Sequence, residues 1–197
     1  MRRLLRIGHV IAAGLAGAPA LALCLLLLAV PPASADQTDP RLAPLFDILK
    51  TTRNPIQAQV AEHEIWSLWM TSKEETVNLL MIRGVDALSA DDLKTAFKVF
   101  TEMVEIAPDF AEGWNKRATV LYMIGAYPES IADIDRTLEL EPRHFGALSG
   151  LGLCNAELEH DEAALDAFER ALTVNPHMDG ARANAEALRR KIEDKAI

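Results

Sequence analysis

The sequence predicts an all-α protein whose main part is a stack of helical hairpins. Pro108, Pro142 and Pro176 stand 34 residues apart, and each one closes a similar run of apolar and acidic residues. A fixed period of this length is typical of a repeated helix–turn–helix unit. Aromatic residues make up only 6% of the chain, and a composition rich in Ala and Leu suits packed helices better than a sheet.

Counting back from each proline gives three units, at residues 77–110, 111–144 and 145–178. Each unit has a small residue in its first helix, another early in its second helix, and a bulky one four positions later. These sets are Gly84, Ala118 and Gly152, then Ala96, Ser130 and Ala164, and finally Phe100, Ile134 and Phe168. A single hairpin cannot bury its apolar side, so neighbouring units must stack.

The second unit carries the clearest family pattern, in the sequence AEGWNKRATVLYMIGAYPESIADIDRTLELEPRH. Trp114 opens the first helix, Gly125 and Tyr127 mark the turn, and Pro142 closes the unit. This stretch resembles a tetratricopeptide repeat (TPR), a helix–turn–helix unit of the same length. The resemblance implies a helical solenoid of about three repeats, in which we expect Trp114 to be buried.

All three units depart from the family pattern at one or more positions. Leu80 stands where Trp is typical, and Asp91 and Glu159 stand where the turn usually has Gly. Arg117 occupies a position that is usually apolar. We therefore identify the first unit from its register alone.

Residues 36–76 predict a helical hairpin, a degenerate unit packed beneath the repeats. Its second helix has apolar residues on two sides, Ile56, Val60, Trp66 and Met70 on one and Ala61, Ile65, Leu68 and Trp69 on the other. A helix of this kind is normally covered on both sides. Residues 179–197 predict one more helix with a polar outer side, as expected of the capping helix of a repeat array.

Residues 1–35 predict an export signal. Three arginines precede a long apolar run over residues 7–30, and Ala33, Ser34 and Ala35 then form a signal-peptidase site. We expect cleavage before Asp36 and a periplasmic location. The alternative is an inner-membrane anchor through residues 7–30, since a run of roughly 18 or more apolar residues can span a bilayer.

The charge of the predicted mature chain restricts its partners. Residues 36–197 contain 29 acidic and 17 basic residues, a net charge of −12. Such a domain repels phosphate backbones and anionic lipids, so we expect neither nucleic acid nor, after signal cleavage, a membrane as partner. Cys154 is the only thiol left, which excludes an internal disulfide.

No pattern of catalytic residues or metal ligands is complete. His63 and Glu64 begin an H-E-x-x-H motif, but Ser67 stands where the second histidine belongs. His144, His160 and His177 fall in predicted turns, where we expect them on the surface. The sequence therefore predicts a non-catalytic protein without cofactor or metal; an enzyme with an unrecognised site in the loops is the less favoured reading.

The family resemblance implies that the first helix of each unit lines a concave groove. The candidate lining is Asn78, Met81, Val85 and Leu88, then Glu112, Asn115, Thr119 and Tyr122, then Gly146, Ser149, Leu153 and Ala156. Some TPR proteins clamp the carboxylate at a peptide's C-terminus with Lys, Arg and Asn at such places. Because apolar and small residues dominate here, we expect a peptide or amphipathic helix of a partner protein instead. The chain's own N-terminal hairpin is the alternative occupant.

These expectations combine into a scaffold or binding module of the bacterial cell envelope. The alternative in the same compartment is an assembly factor that presents an exported client to a maturation complex, as TPR domains in cytochrome biogenesis do. The sequence does not identify the client.

Overall fold

The computed structural model describes residues 36–195, and every regular element in that range is an α-helix. The helices are α1 Leu42–Thr51, α2 Pro55–Trp69, α3 Glu75–Ser89, α4 Leu93–Ile106, α5 Ala111–Met123, α6 Tyr127–Leu140, α7 Phe145–Glu157, α8 Asp161–Val174 and α9 Asp179–Lys195. None of these helices is both long and apolar enough to cross a membrane. The predicted export signal and cleavage site, residues 1–35, lie outside the described residues.

Three hairpins stack in chain order to form the solenoid. Helix α3 pairs with α4, α5 with α6 and α7 with α8, while α4 contacts α5 and α6 contacts α7. The small residues permit this close approach. A Cβ atom added at Gly152 would lie 2.8 Å from the Phe168 ring, a distance that real Cβ contacts do not reach. The predicted all-α solenoid is confirmed.

The turn between the two helices of each unit has the same backbone conformation in all three units. Gly125 has φ 77°, and Asp91 and Glu159 both have φ 58° at the equivalent positions. Left-handed backbone costs a residue with a side chain roughly 1–2 kcal/mol, and less for Asp than for most. The two departures from glycine therefore keep the turn at some expense in stability.

Trp114 is only half-buried, so the expectation that it lies in the core is wrong. Its Nε1 donates a hydrogen bond to the Pro108 carbonyl at 3.0 Å, and the Arg117 guanidinium lies 4.9 Å from its ring. Arg117 in turn donates two hydrogen bonds of 2.7 Å to Asp133 on α6. The arginine at a usually apolar position thus has its counter-charge in the same hairpin.

The N-terminal hairpin does not lie beneath the repeats. Helices α1 and α2 pack on each other, and they follow the edge of the array formed by the loops that close the units. The Gln37 amide oxygen accepts from the Ala111 N–H at 3.3 Å, beside the first of these loops. At the last loop, His177 Nε2 lies 3.1 Å from the Leu49 carbonyl oxygen. The hairpin therefore spans all three unit boundaries along one edge.

An aromatic cluster fixes this hairpin near the junction of the second and third units. The Trp69 ring stacks on His144 with centroids 4.1 Å apart, and the Trp66 ring meets Phe145 edge-on at 5.4 Å. Phe46 of α1 lies 5.8 Å from Trp69. On the other apolar side of α2, Trp66 and Met70 are partly buried, but Ile56 is 70% exposed and Val60 57%. The expectation that α2 is covered on both sides is therefore wrong for its N-terminal half.

Helix α9 closes the C-terminal end of the array. Ala181, Ala185 and Leu188 are buried in a cluster with Ala164 and Phe168 of α8. Polar contacts frame this interface. Lys191 and Lys195 both bind the Asp161 carboxylate, at 2.7 and 2.6 Å, and Arg189 binds Glu169 at 2.7 Å.

Candidate functional site

Six of the predicted groove residues line one cavity of about 250 Å³ between α5 and α7. They are Asn115, Thr119 and Tyr122 on α5, with Gly146, Ser149 and Leu153 on α7. These residues recur on one side of each helix at the helical spacing, and the two sides face each other. The cavity is partly open to solvent.

The floor of this cavity consists of residues that the sequence did not indicate as groove positions. Ala118, Ser130 and Ile134 line it together with Gly150, Cys154 and Met178. The first three are the small and bulky repeat residues of the second unit. Their repeating pattern indicates helix contacts, but it does not reveal which contacts remain open to the groove. No comparable signal marks Met178.

The polar atoms of the floor satisfy each other. The Cys154 thiol donates to Ser130 Oγ at 3.3 Å, and Ser130 Oγ donates to the Ala118 carbonyl at 2.8 Å. Burial raises the pKa of the Cys154 thiol above its ordinary value. The thiol is therefore neutral at pH 7 and packs as a small apolar group.

Glu112 does not line the groove, so its place among the candidate residues is a correction. It is fully buried, and its Oε2 accepts hydrogen bonds from Asn115 Nδ2 at 3.0 Å and His144 Nε2 at 2.9 Å. Lys116 Nζ lies 3.1 Å from Oε1. Burial opposes ionisation of Glu112, but the Lys116 charge and the His144 hydrogen bond outweigh it and lower the pKa. The Glu112 carboxylate therefore fixes the orientation of the Asn115 side chain in the wall of the cavity.

His144 is buried rather than on the surface, contrary to the expectation for the turn histidines. Its Nδ1 accepts a hydrogen bond of 3.0 Å from the Ala147 N–H, so the side chain caps the start of α7. Nε2 must then carry the hydrogen that is donated to Glu112. His160 is exposed and His177 is half-buried. Among residues 36–195, no three His, Cys, Asp or Glu side chains are close enough to hold a metal ion.

The first unit contributes a second cavity of about 450 Å³ beside α3. Its lining includes Asn78, Met81 and Val85, with Met70, Thr71, Ile82 and Asp86 around them. Asn78 uses its amide on the preceding loop, since Oδ1 accepts from the Ser72 N–H at 2.7 Å and Nδ2 donates to the Ser72 carbonyl at 2.8 Å. Leu88 lines neither cavity, and its partly buried side chain packs against the α3–α4 core.

Charge is almost absent from the two linings. None of the residues around the first cavity is ionisable at pH 7, and the second cavity has only Asp86. The cations beside the first cavity are already paired, Lys116 with Glu112 and Arg117 with Asp133, and Arg83, exposed on α3, lines neither cavity. In the described part of the chain, the groove thus has no free cation that could clamp a peptide carboxylate.

Comparison with known proteins identifies the family. No family model matches the chain. Over 136 residues, the chain is 39% identical to a TPR repeat-containing protein of Rhizobium etli. This alignment covers 69% of this chain and 67% of the relative. The chain belongs to the tetratricopeptide repeat family.

Solved TPR domains share the fold of this chain. The Sgt2 TPR domain of Aspergillus fumigatus superimposes with a TM-score of 0.60 at 22% identity, covering 62% of this chain and 83% of that domain. The first TPR domain of Spaghetti (RPAP3), solved with the HSP90 peptide SRMEEVD bound, gives a TM-score of 0.58 at 17% identity, with coverage of 59% and 93%. At these identities the comparison establishes the fold alone.

The residues that the structure describes leave the TPR groove open, even though the chain's own hairpin lies beside it. A Cβ atom at Gly146 would lie 2.6 Å from the Trp66 ring, so the hairpin closes over one edge of the first cavity. The hairpin otherwise follows the closing loops and does not enter the space between α5 and α7. The expected occupants of the groove are a partner segment and the N-terminal hairpin, and the hairpin covers only the rim of the groove.

Proposed function

We propose that this protein is a non-catalytic interaction module of the bacterial cell envelope that holds an apolar segment of a partner protein in its concave groove. The observation that carries the proposal is the uncharged cavity between α5 and α7, with its floor of small side chains. A pocket with apolar walls and a few polar groups is the usual form of a binding site.

The size of the cavities defines the kind of segment that would bind. A cavity of about 250 Å³ accommodates one or two side chains and does not enclose a whole peptide. Burying one large apolar side chain contributes about 1.5–3 kcal/mol, which is too little for stable capture by itself. A segment that places a second apolar side chain in the α3 cavity would bind with higher affinity, because two side chains are then buried. A short helix or an extended peptide can present residues at such intervals.

The chemistry of the lining favours an apolar segment over an acidic one. The HSP90 peptide bound by the Spaghetti domain carries adjacent acidic residues, EEVD. The groove of this chain has Asp86 at one cavity and no unpaired cation at either within the described residues. An acidic peptide would therefore be repelled. Because salt screens charge but not apolar burial, capture of the preferred segment should persist at high ionic strength.

The location of the module is part of the proposal. The arginines, the apolar run and the Ala33–Ala35 site support export and cleavage before Asp36. N-terminal sequencing of the protein recovered from the periplasm should begin at Asp36. Recovery with the membrane, with Met1 retained, would favour the alternative of an anchor through residues 7–30.

Site-specific photocrosslinking in cells tests the groove itself. A photoreactive amino acid at Thr119, an exposed lining position, should form adducts with a partner, whereas one at Ala132, exposed on α6, should not. The substitution Ser149→Trp fills the cavity and should abolish the adducts, while Ala132→Trp should leave them unchanged. Adducts at Ala132 alone, or adducts that survive Ser149→Trp, would contradict binding in the groove.

A further inference from the structure

The first helix of each later unit buries one of its sides against the preceding unit. On α5, a Cβ atom added at Gly113 would lie 3.2 Å from the Met103 sulfur of α4. On α7, a Cβ at Gly150 would lie 3.4 Å from Ile134 of α6, and the Cys154 thiol meets Ser130 of the same helix. Each unit thus covers this side of the next one.

The 34-residue register identifies the same side on α3. Leu79 corresponds to Gly113 and Ala147, Ile82 corresponds to Lys116 and Gly150, and Asp86 corresponds to Val120 and Cys154. Val120, Ala147 and Cys154 are all completely buried. On α3, by contrast, Leu79 is 62% exposed, Ile82 is 59% exposed and Asp86 is exposed too. We call the surface formed by Leu79, Ile82 and Asp86 the α3 end face.

The α3 end face continues into the second cavity. Ile82 and Asp86 lie on its wall together with Met70, Met81 and Val85. Methionine side chains adapt to the shape of a partner because they are flexible and polarisable. The N-terminal hairpin could have covered this surface, but it lies along the closing loops and only Met70 reaches the α3–α4 core. Two exposed large apolar side chains beside an apolar cavity form a surface suited to a partner.

We propose that the α3 end face binds an amphipathic helix of another protein whose apolar stripe is flanked by basic residues. A helix is the inferred occupant because helices α4 and α6 cover the same side of α5 and α7. This interface meets the groove at the second cavity, but it does not require the cavity between α5 and α7.

Charge distinguishes a basic partner helix from a second copy of this chain. Asp86 stands where the later units have buried Val120 and Cys154, so an acidic group replaces an apolar one within the face. Glu75 and Arg83 are also exposed on α3, which leaves the surroundings of the face with a net negative charge. Two copies of a chain with a net charge of −12 over residues 36–197 would repel each other. Lysine or arginine beside the leucines of a partner would instead meet Asp86 and Glu75.

Fluorescence anisotropy on the full chain tests this inference with defined probes. One probe is a synthetic amphipathic helix with leucines at positions i, i+3, i+4 and i+7 and lysines beside them, and the other has glutamates in place of the lysines. The double variant Leu79→Ser with Ile82→Ser should weaken binding of the lysine helix about ten-fold or more, since two apolar anchors are lost. Asp86→Asn should weaken it by a smaller factor that shrinks as salt is added.

The chain offers a matched control for this experiment. Met123 and Ile124 are 47% and 53% exposed and line neither cavity, so replacing both by serine should leave binding unchanged. Ser149→Trp should also have no effect. Equal binding of the glutamate helix, equal loss in the control, or loss with Ser149→Trp would overturn the proposal. A dimer seen in sedimentation that Leu79→Ser with Ile82→Ser dissociates would overturn it as well, because a second copy would then cover the face.

Discussion

The two ends of the TPR array differ in whether a further helix covers the last hairpin. At the C-terminal end, α9 lies across α8 and buries Ala181, Ala185 and Leu188. At the N-terminal end, α3 leaves Leu79 and Ile82 more than half exposed, although a helical hairpin immediately precedes it in the chain.

Side-chain size explains why one neighbouring helix caps an end and the other does not. The inner side of α9 has alanines at 181 and 185, which let the helix approach α8 closely. The inner side of α2 also has alanines, at 58 and 61, but its C-terminal half carries bulky residues, and the fully buried Trp69 packs against His144 and Phe145. A helix with such rings packs where an aromatic site already exists. Proximity in sequence therefore does not decide which end of a solenoid is covered.

The largest expected effect comes from removing the anchor of the hairpin. Trp69→Ala should lower the free energy of unfolding by about 3–5 kcal/mol, since it empties a buried aromatic site. Urea denaturation followed by circular dichroism measures this loss. Trp114→Ala is the control of the same residue type; because Trp114 is half-buried, its loss should be only about 1–2 kcal/mol. A loss below about 1 kcal/mol for Trp69→Ala would mean that the hairpin is not anchored on this edge.

A second prediction concerns the buried pair of Glu112 and His144, whose hydrogen bond holds the His144 ring against Trp69. Glu112→Gln should destabilise the protein by about 1–3 kcal/mol at pH 7, because the amide replaces a carboxylate that three donors surround. The folded-state pKa of Glu112 is lowered, so its contribution is present above the ordinary carboxyl pKa and is lost as pH falls through the folded value.

The pH dependence separates Glu112 from the other acidic residues. Unfolding free energies of wild type and Glu112→Gln, measured from pH 7 downward, should converge in acid, because Asp39, Asp92 and Asp161 titrate alike in both proteins. A constant difference at all pH values would show that the charge of Glu112 contributes nothing to stability.

The smallest expected effect compares the turns of the first and third units. Glu159→Gly should stabilise the protein by about 0.5–1 kcal/mol, because glycine adopts its φ of 58° without a clash, a gain partly offset by unfolded-state entropy. Asp91→Gly should gain less, since Asp tolerates this conformation better. Gly125→Ala is the reverse control and should destabilise. Thermal unfolding of the three variants provides the ranking, and a loss on Glu159→Gly would contradict the strained turn.

Much of this architecture could be predicted from the sequence because local pattern dictates it. The period of the three prolines and the repeated small residues are enough to define the helices and their pairing, and the resemblance to the TPR family implies six of the groove positions on α5 and α7. The path of the hairpin could not be predicted. It depends on contacts between α2 and residues more than 70 positions away, such as the stacking of Trp69 on His144.

The roles of Glu112 and His144 could not be predicted from the sequence either. A carboxylate on the first turn of a helix and a histidine in a turn normally face water. In this structure each satisfies the other across a separation of 32 residues, which removes both from the surface. A periodic pattern reveals which side of a helix is apolar, but it does not reveal which polar side chains find a buried partner.

The difference between the two ends is tested most directly by a matched pair of leucines. Leu188 is 6% exposed under α9, and Leu79 is 62% exposed on the α3 end face. Measured by urea denaturation under the same conditions, Leu188→Ala should cost about 2–4 kcal/mol and Leu79→Ala no more than about 0.5 kcal/mol. Equal losses, or a larger loss at Leu79, would show that the N-terminal end is covered in solution and would contradict the account.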